Sequence, residues 1–88
     1  MDLDFVVERA GHILILETKP AGADVPLGQL ITLKAFAKLG CDVWVVWEHE
    51  SGEVGVRQLG PNGYTGTFDT TTKDGLGDRV LEWRARYA

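Results

Sequence analysis

The sequence predicts a single α/β domain over residues 1–88, in which a mixed sheet begins with a hairpin and continues through a crossover helix into a parallel strand. Two observations lead to this fold class. Apolar and β-branched residues fill two runs at the start of the chain, separated by the polar break "RAGH", which is typical of a β-hairpin. A helical segment then separates the second run from the apolar strand "DVWVVWE", and the order strand, helix, strand implies a parallel pair.

The hairpin brings two carboxylates together. If residues 10–11 form its loop, counting outward pairs Asp4 with Glu17 and Asp2 with Lys19. Opposed residues on one face have Cβ atoms about 4.5–5.5 Å apart, and like charges there are destabilising. A divalent cation or a shared proton would compensate the pair, and Lys19 would supply part of the positive charge.

The second strand, "HILILETKP", carries charge where a buried strand normally has none. Successive side chains alternate between faces, so Glu17 and Lys19 share one face while Thr18 points to the other. Taken alone, the plainest interpretation is a strand that leaves the core and exposes both charges to solvent. The carboxylate expected opposite Glu17 favours a functional site instead.

A helix is expected from Pro26, which suits a first helical turn, to about Leu39, with a stop at Gly40. Gln29 lies in its first turn and, without other information, is equally well explained as a solvated surface amide. The residues expected to face the sheet are Leu27, Leu30, Ile31, Leu33, Phe36 and Leu39.

The second half of the chain adds one strand and one helix. After a turn at residues 51–52, "VGVRQL" is predicted to be an edge strand, and "GPNGYTGTF" a loop. A final helix is expected from about residue 74 or 77 to 87, with Trp83 and Leu81 among its packing residues. Trp44 and Trp47 are expected to build core, although tryptophan can also stack on nucleic-acid bases.

An Asp on one strand, Glu-x-Lys on the next and a Gln in the first turn of a following helix resemble the PD-(D/E)XK nuclease superfamily, and within it the small, phage-type VRR-NUC nucleases. The matching positions are Asp4, Glu17-Thr18-Lys19 and Gln29. The resemblance covers residues 2–48 and implies a minimal restriction-endonuclease-like core. The sequence departs from the pattern at Leu33, where some relatives have Tyr, and in lacking the helix and strand that usually precede the Asp.

The resemblance implies a nuclease that hydrolyses phosphodiester bonds in DNA, acting on branched or structured substrates, with Mg²⁺ or Mn²⁺ as cofactor. Asp4, Glu17 and the Thr18 carbonyl are the implied metal ligands. Lys19 would stabilise the phosphate in the transition state or position the attacking water, and Gln29 would orient that water or the substrate.

A homodimer is also expected. Only three residues precede Asp4, so the edge of the first strand lacks the cover found in relatives, and proteins cover or pair such edges. The alternative is a monomer whose final helix, about residues 77–87, folds back over this edge.

Composition limits the partners. The net charge of −4 disfavours strong, non-specific binding to nucleic acid, which is usually the property of basic domains. Cys41 is the single cysteine and no secretory or membrane-spanning segment is present, so a cytoplasmic protein without membrane contact is expected. The acidic charge equally suits a non-catalytic α/β interaction or adaptor protein, in which Asp4, Glu17 and Lys19 form a structural charge cluster.

Overall fold

The computed structural model describes residues 4–87, so the expected pairing of Asp2 with Lys19 lies outside the described residues. One mixed sheet has the strand order β1-β2-β3-β4-β5, and within it β2 and β3 run parallel while the other neighbours are antiparallel. This confirms the predicted α/β class. The elements are β1 (Phe5–Arg9), β2 (His12–Pro20), α1 (Leu27–Lys38), β3 (Asp42–Glu48), β4 (Glu53–Gly60), β5 (Gly63–Thr72) and α2 (Lys73–Ala85).

The first hairpin has the register that was counted from the sequence. Ala10 and Gly11 form its loop with φ of 52° and 85°, the two positive values that a primed two-residue turn requires. The ladder ends at Phe5 opposite Leu16, and Asp4 lies one residue beyond it. Asp4 therefore lies at the end of the hairpin where β2 contains Glu17 and Lys19.

Each face of the sheet is covered by one helix. The face under α1 buries Ile15, Leu33, Val43, Val45 and Leu59. The face under α2 buries Leu14, Leu16, Trp44, Val46, Val54, Val56 and Trp83. Because β2 and β3 contribute to both cores, their apolar runs are continuous rather than alternating.

Helix α1 follows Pro26 as predicted, but its buried stripe is narrower than expected. Leu33 is fully buried, whereas Leu27, Ile31 and Leu39 are 72%, 59% and 81% exposed. A helix on an open sheet contacts it along one stripe, and these three leucine and isoleucine side chains fall outside that stripe. The prediction that all six apolar residues face the sheet was therefore wrong.

The predicted loop "GPNGYTGTF" is mostly strand β5, which pairs antiparallel with β4 and turns β4 into an interior strand. Gly60 pairs with Gly63, so the turn between them is only residues 61–62. The glycines suggested a loop, but the threonines and aromatic residues between them favour extended structure once a neighbouring strand is available. The prediction of an edge position for "VGVRQL" was wrong for the same reason.

Helix α2 starts where the Thr72 hydroxyl accepts a 3.0 Å hydrogen bond from the Gly75 amide, an N-terminal cap. Trp83 packs into the core as expected, and its indole donates a 2.7 Å hydrogen bond to Asp42. Leu81 is 60% exposed, so its predicted packing role was wrong. Of the helices within residues 4–87, neither has the length and apolar character needed to cross a bilayer.

Candidate active site

Glu17 is the charged side chain that the fold buries within residues 4–87, with 3% of its surface exposed. The interpretation of its strand end as a solvated segment was therefore wrong. The first turn of α1 lies above this end of β2, and Gln29 from that turn covers the Glu17 side chain. Burying a carboxylate costs several kcal/mol unless it is paired, so its partners matter.

The hydrogen bond and the ion pair of the Glu17 side chain both involve the same carboxylate oxygen. Gln29 donates a 2.7 Å hydrogen bond from Nε2 to Oε1 of Glu17, and the Lys19 ammonium lies 3.6 Å from the same oxygen. Gln29 is thus a site residue rather than a solvated amide. The other oxygen, Oε2, is buried without a hydrogen-bond partner, as is Oε1 of Gln29. A water, a cation or a donor from a ligand would satisfy either acceptor.

Asp4 is fixed against the residue between Glu17 and Lys19. Its Oδ2 accepts hydrogen bonds from the Thr18 amide at 2.7 Å and from the Thr18 hydroxyl at 2.8 Å. The backbone contact shows that Asp4 reaches the central position of Glu17-Thr18-Lys19, although the regular ladder stops at Phe5. Asp4 therefore lies at the carboxyl end of β2, but its contacts there are with Thr18 and not with Glu17, which it was predicted to face.

The surroundings move the pKa values of the two carboxylates in opposite directions. Burial raises the pKa of Glu17, and the negative charge of Asp4 raises it further, against the opposing effects of Lys19 and Gln29. The hydrogen bonds from the Thr18 amide and hydroxyl lower the pKa of Asp4. The surroundings thus favour the ionised form of Asp4, whereas the positive charge of Lys19 offsets the effect of burial on Glu17 only in part.

Asp4 and Glu17 are the two carboxylates available to a divalent cation at this end of β2. Within residues 4–87 no group of three or more His, Cys, Asp or Glu side chains converges, so an ion would be held by two carboxylates and by other oxygens. Mg²⁺ is commonly bound in this way, through one or two carboxylates, waters and substrate phosphate. Positive charge beside the unpartnered Oε2 of Glu17 would also reverse the rise in its pKa.

A second group of residues, which was not predicted from the sequence, lies next to this site on the α1 face. The register places Trp47 beside Lys19, and Arg57 beside Val45, the neighbour of Glu17. Phe68 of β5 contacts Trp47. Assigning "GPNGYTGTF" to a loop concealed this arrangement, and counting outward from the Gly60–Gly63 pair fails beyond the register shift between Val56 and Gln58.

Comparison of the chain with protein-family profiles, with curated proteins and with solved structures finds no match. The class that the fold and site define is an α/β domain with two carboxylates, an amine and an amide at the carboxyl ends of two parallel strands. Ligands of open α/β sheets bind at such ends.

Proposed function

We propose that this protein is a Mg²⁺- or Mn²⁺-dependent nuclease that hydrolyses phosphodiester bonds in DNA, as an endonuclease acting on branched or structured substrates. The observation that carries the proposal is the buried Glu17 carboxylate, whose Oε1 is contacted by Gln29 and Lys19 while its Oε2 has no hydrogen-bond partner. A structural ion pair would satisfy both oxygens, whereas a ligand site leaves one of them available.

The chemistry of a phosphodiester explains why these residue types belong together. Negative charge grows on the phosphate and leaving-group oxygens in the transition state, so positive charge and an aligned water are needed there. When bound, the divalent cation would stabilise that charge and make a water more acidic. Asp4, Glu17 and the Thr18 carbonyl would hold it, with the Asp4 carboxylate already fixed by Thr18.

Lys19 and Gln29 act on the substrate side. The Lys19 side chain is 19% exposed, so its ammonium can approach a phosphate while it remains near Glu17. Lys19 therefore acts as a cation on the transition state rather than as a base. Gln29 is anchored through Nε2 to Glu17, which leaves its Oε1 free to accept a hydrogen bond from the attacking water and orient it.

The proposal includes a homodimer. Among the described residues, β1 pairs with β2 alone, and Phe5 and Val6 on it are 59% and 53% exposed. Pairing of two β1 strands about a two-fold axis would cover both edges and would supply two sites, which suits cleavage of both strands of a duplex or junction. The free Cys41 is in keeping with a reducing cytoplasm as the location.

The competing function is a non-catalytic interaction protein. The observation in its favour is the 3.6 Å contact between Lys19 and Glu17, which partly neutralises the carboxylate without any ligand. Such a protein would neither cut DNA nor respond to divalent cations.

The test is incubation of the purified protein with a panel of linear and branched DNAs in the presence of Mn²⁺. We expect cleavage by the native protein and none by Glu17→Gln. Glu82→Gln is the matched control, because it makes the same chemical change at an exposed residue of α2, on the other face of the sheet. Absence of cleavage on every substrate, or equal cleavage by Glu17→Gln, would contradict the proposal.

A further inference from the structure

Three aromatic side chains form a continuous row on the α1 face, which we call the aromatic strip: Trp47, Tyr64 and Phe68. Trp47 lies at its centre, with ring centroids 5.6 Å from Phe68 and 6.1 Å from Tyr64. The rings are tilted to one another by 44° and 46°. The strip begins beside the candidate active site, since Lys19 is the register partner of Trp47.

Phe68 presents its ring to solvent. It is 52% exposed, and its tip fills the space that a Cβ on Gly55 would occupy. The absence of a side chain at Gly55 therefore lets the ring lie against the backbone of β4. The ring is thus held at its tip, and its exposed part is accessible to a ligand.

Trp47 is held in a fixed orientation. Its indole donates a 2.7 Å hydrogen bond to the Ala23 carbonyl, and the ring is only partly buried. A ring fixed in this way loses little conformational freedom when it binds, which favours affinity. From β2 to β5 there are three strand spacings, or about 14 Å, so the strip and site together extend over a few nucleotides.

Arg57 adds a cation to the same face. Its guanidinium carbon lies 5.0 Å from the centroid of Tyr64, and its Nε is buried without a hydrogen-bond partner. In the register Arg57 lies two strands from Glu17, with Val45 between them. It can therefore contact a phosphate next to the one that reaches Glu17.

The remaining charges exclude recognition by a basic groove. The net charge is −4, and the lysines of α1 and the arginines of α2 lie on opposite faces of the sheet. Phosphate neutralisation alone would give weak binding. Stacking on aromatic rings does not depend on net charge, but it requires bases that are not already stacked within a duplex.

We propose that the aromatic strip binds the unpaired bases of a single-stranded segment and delivers the adjoining phosphate to the site at Glu17. The inference rests on the proposed nuclease function and specifies its substrate: DNA with a single-stranded stretch beside the cleaved bond. Phe68 and Trp47 stack on bases, and Arg57 contacts the backbone.

The experiment measures binding without cleavage. Fluorescence anisotropy in EDTA compares a labelled oligothymidylate of about ten nucleotides, within the range of site sizes for single-strand binders, with a blunt duplex of the same length. We expect the single strand to bind more tightly than the duplex. Phe68→Ala should weaken single-strand binding roughly 5- to 150-fold, the usual loss for one stacked base. Lys19 and Arg57 are the two cations that would contact phosphates of the single strand. The slope of the logarithm of the binding constant against the logarithm of the salt concentration should therefore be only about −1.4.

Matched variants separate stacking from folding and from hydrophobic contact. Phe68→Tyr keeps the aromatic face and should bind like the native protein, whereas Phe68→Leu should bind as weakly as Phe68→Ala. Leu81→Ala, which removes an equally exposed apolar side chain from α2, should change nothing. Circular dichroism of each variant confirms that the fold is retained.

Three results would overturn the inference. They are equal binding of duplex and single strand, native binding by Phe68→Leu, and no oligonucleotide binding together with Phe68-dependent self-association, which would make the strip a protein interface. Because binding is measured in EDTA, its outcome is independent of cleavage. A protein that cuts DNA but binds single strands independently of Phe68 retains the proposed function and loses this inference.

Discussion

Gln29 and Glu17 are joined by a 2.7 Å hydrogen bond between the first turn of α1 and the end of β2. The bond occupies Oε1 of the carboxylate and leaves Oε2 without a partner. This one contact thus ties the first turn of α1 to the end of β2 and leaves a buried oxygen of Glu17 without a donor.

Replacing Glu17 with Gln should abolish cleavage without unfolding the protein. The change removes a buried negative charge and its repulsion with Asp4, so the free energy of unfolding in EDTA should be unchanged or slightly higher. Urea denaturation and the DNA assay measure the two effects. A variant that cuts as fast as the native protein would show that Glu17 is not a metal ligand.

Lys19→Ala should lower the cleavage rate by roughly 10²-fold or more, the usual loss when one preorganised group that stabilises the transition state is removed. Single-turnover kinetics at saturating protein measure this rate directly. Lys38→Ala is a suitable control, because Lys38 is an exposed residue at the far end of α1. An unchanged rate in Lys19→Ala would reduce Lys19 to a structural partner of Glu17.

Divalent cations should raise the melting temperature. An ion present at about ten times its Kd adds about 1.4 kcal/mol to the stability of the folded state by linkage. For a domain of this size, each kcal/mol of added stability raises the melting temperature by roughly 4–8 °C. Differential scanning fluorimetry with Mg²⁺ or Mn²⁺ should show the increase in the native protein and not in Glu17→Gln. A native protein that ignores both ions would support the adaptor function instead.

Stability without metal should depend on pH in a direction set by Glu17. The pKa of Glu17 is raised above the usual 4.5 in the folded state. Its contribution to the free energy of unfolding is therefore fully present below pH 4.5 and is lost as the pH rises through the raised pKa. The lowered pKa of Asp4 has the opposite effect, because that contribution is lost as the pH falls below 3.8. Urea denaturation in EDTA across this range should show the loss above pH 4.5 in the native protein. If Glu17→Gln shows the same loss, another group causes it.

Sedimentation at micromolar concentration should give twice the chain mass of 9.7 kDa. The physical reason is the unpaired edge of β1 with its exposed Phe5 and Val6. Val6→Lys places a charge on that edge and should shift the equilibrium toward the monomer, whereas Ile31→Lys, at an equally exposed position on α1, should not. Full activity at a mass near 9.7 kDa would remove the dimer from the mechanism.

The sequence was sufficient for the hairpin and the parallel pair, because these depend on alternation, on counting from a short turn and on the order strand, helix, strand. It was insufficient for the burial of Glu17, which depends on the strands on either side of β2 and on Gln29 of α1. The error at β5 had a local cause: its two glycines, Gly63 and Gly66, are also common in loops, and the tertiary partner β4 decides between the two structures.

The attachment of Asp4 to Thr18 has a consequence for how activity would be lost. Asp4 adjoins β1, which has a neighbouring strand on one side within residues 4–87, while Glu17 and Lys19 belong to the interior strand β2. Edge segments open at lower free energy than interior ones. In the monomer, gentle heating should therefore separate Asp4 from the other site residues while the rest of the sheet is still folded, so that inactivation precedes melting. Amide hydrogen exchange should then be faster across β1 than across β2 at the temperature where cleavage stops.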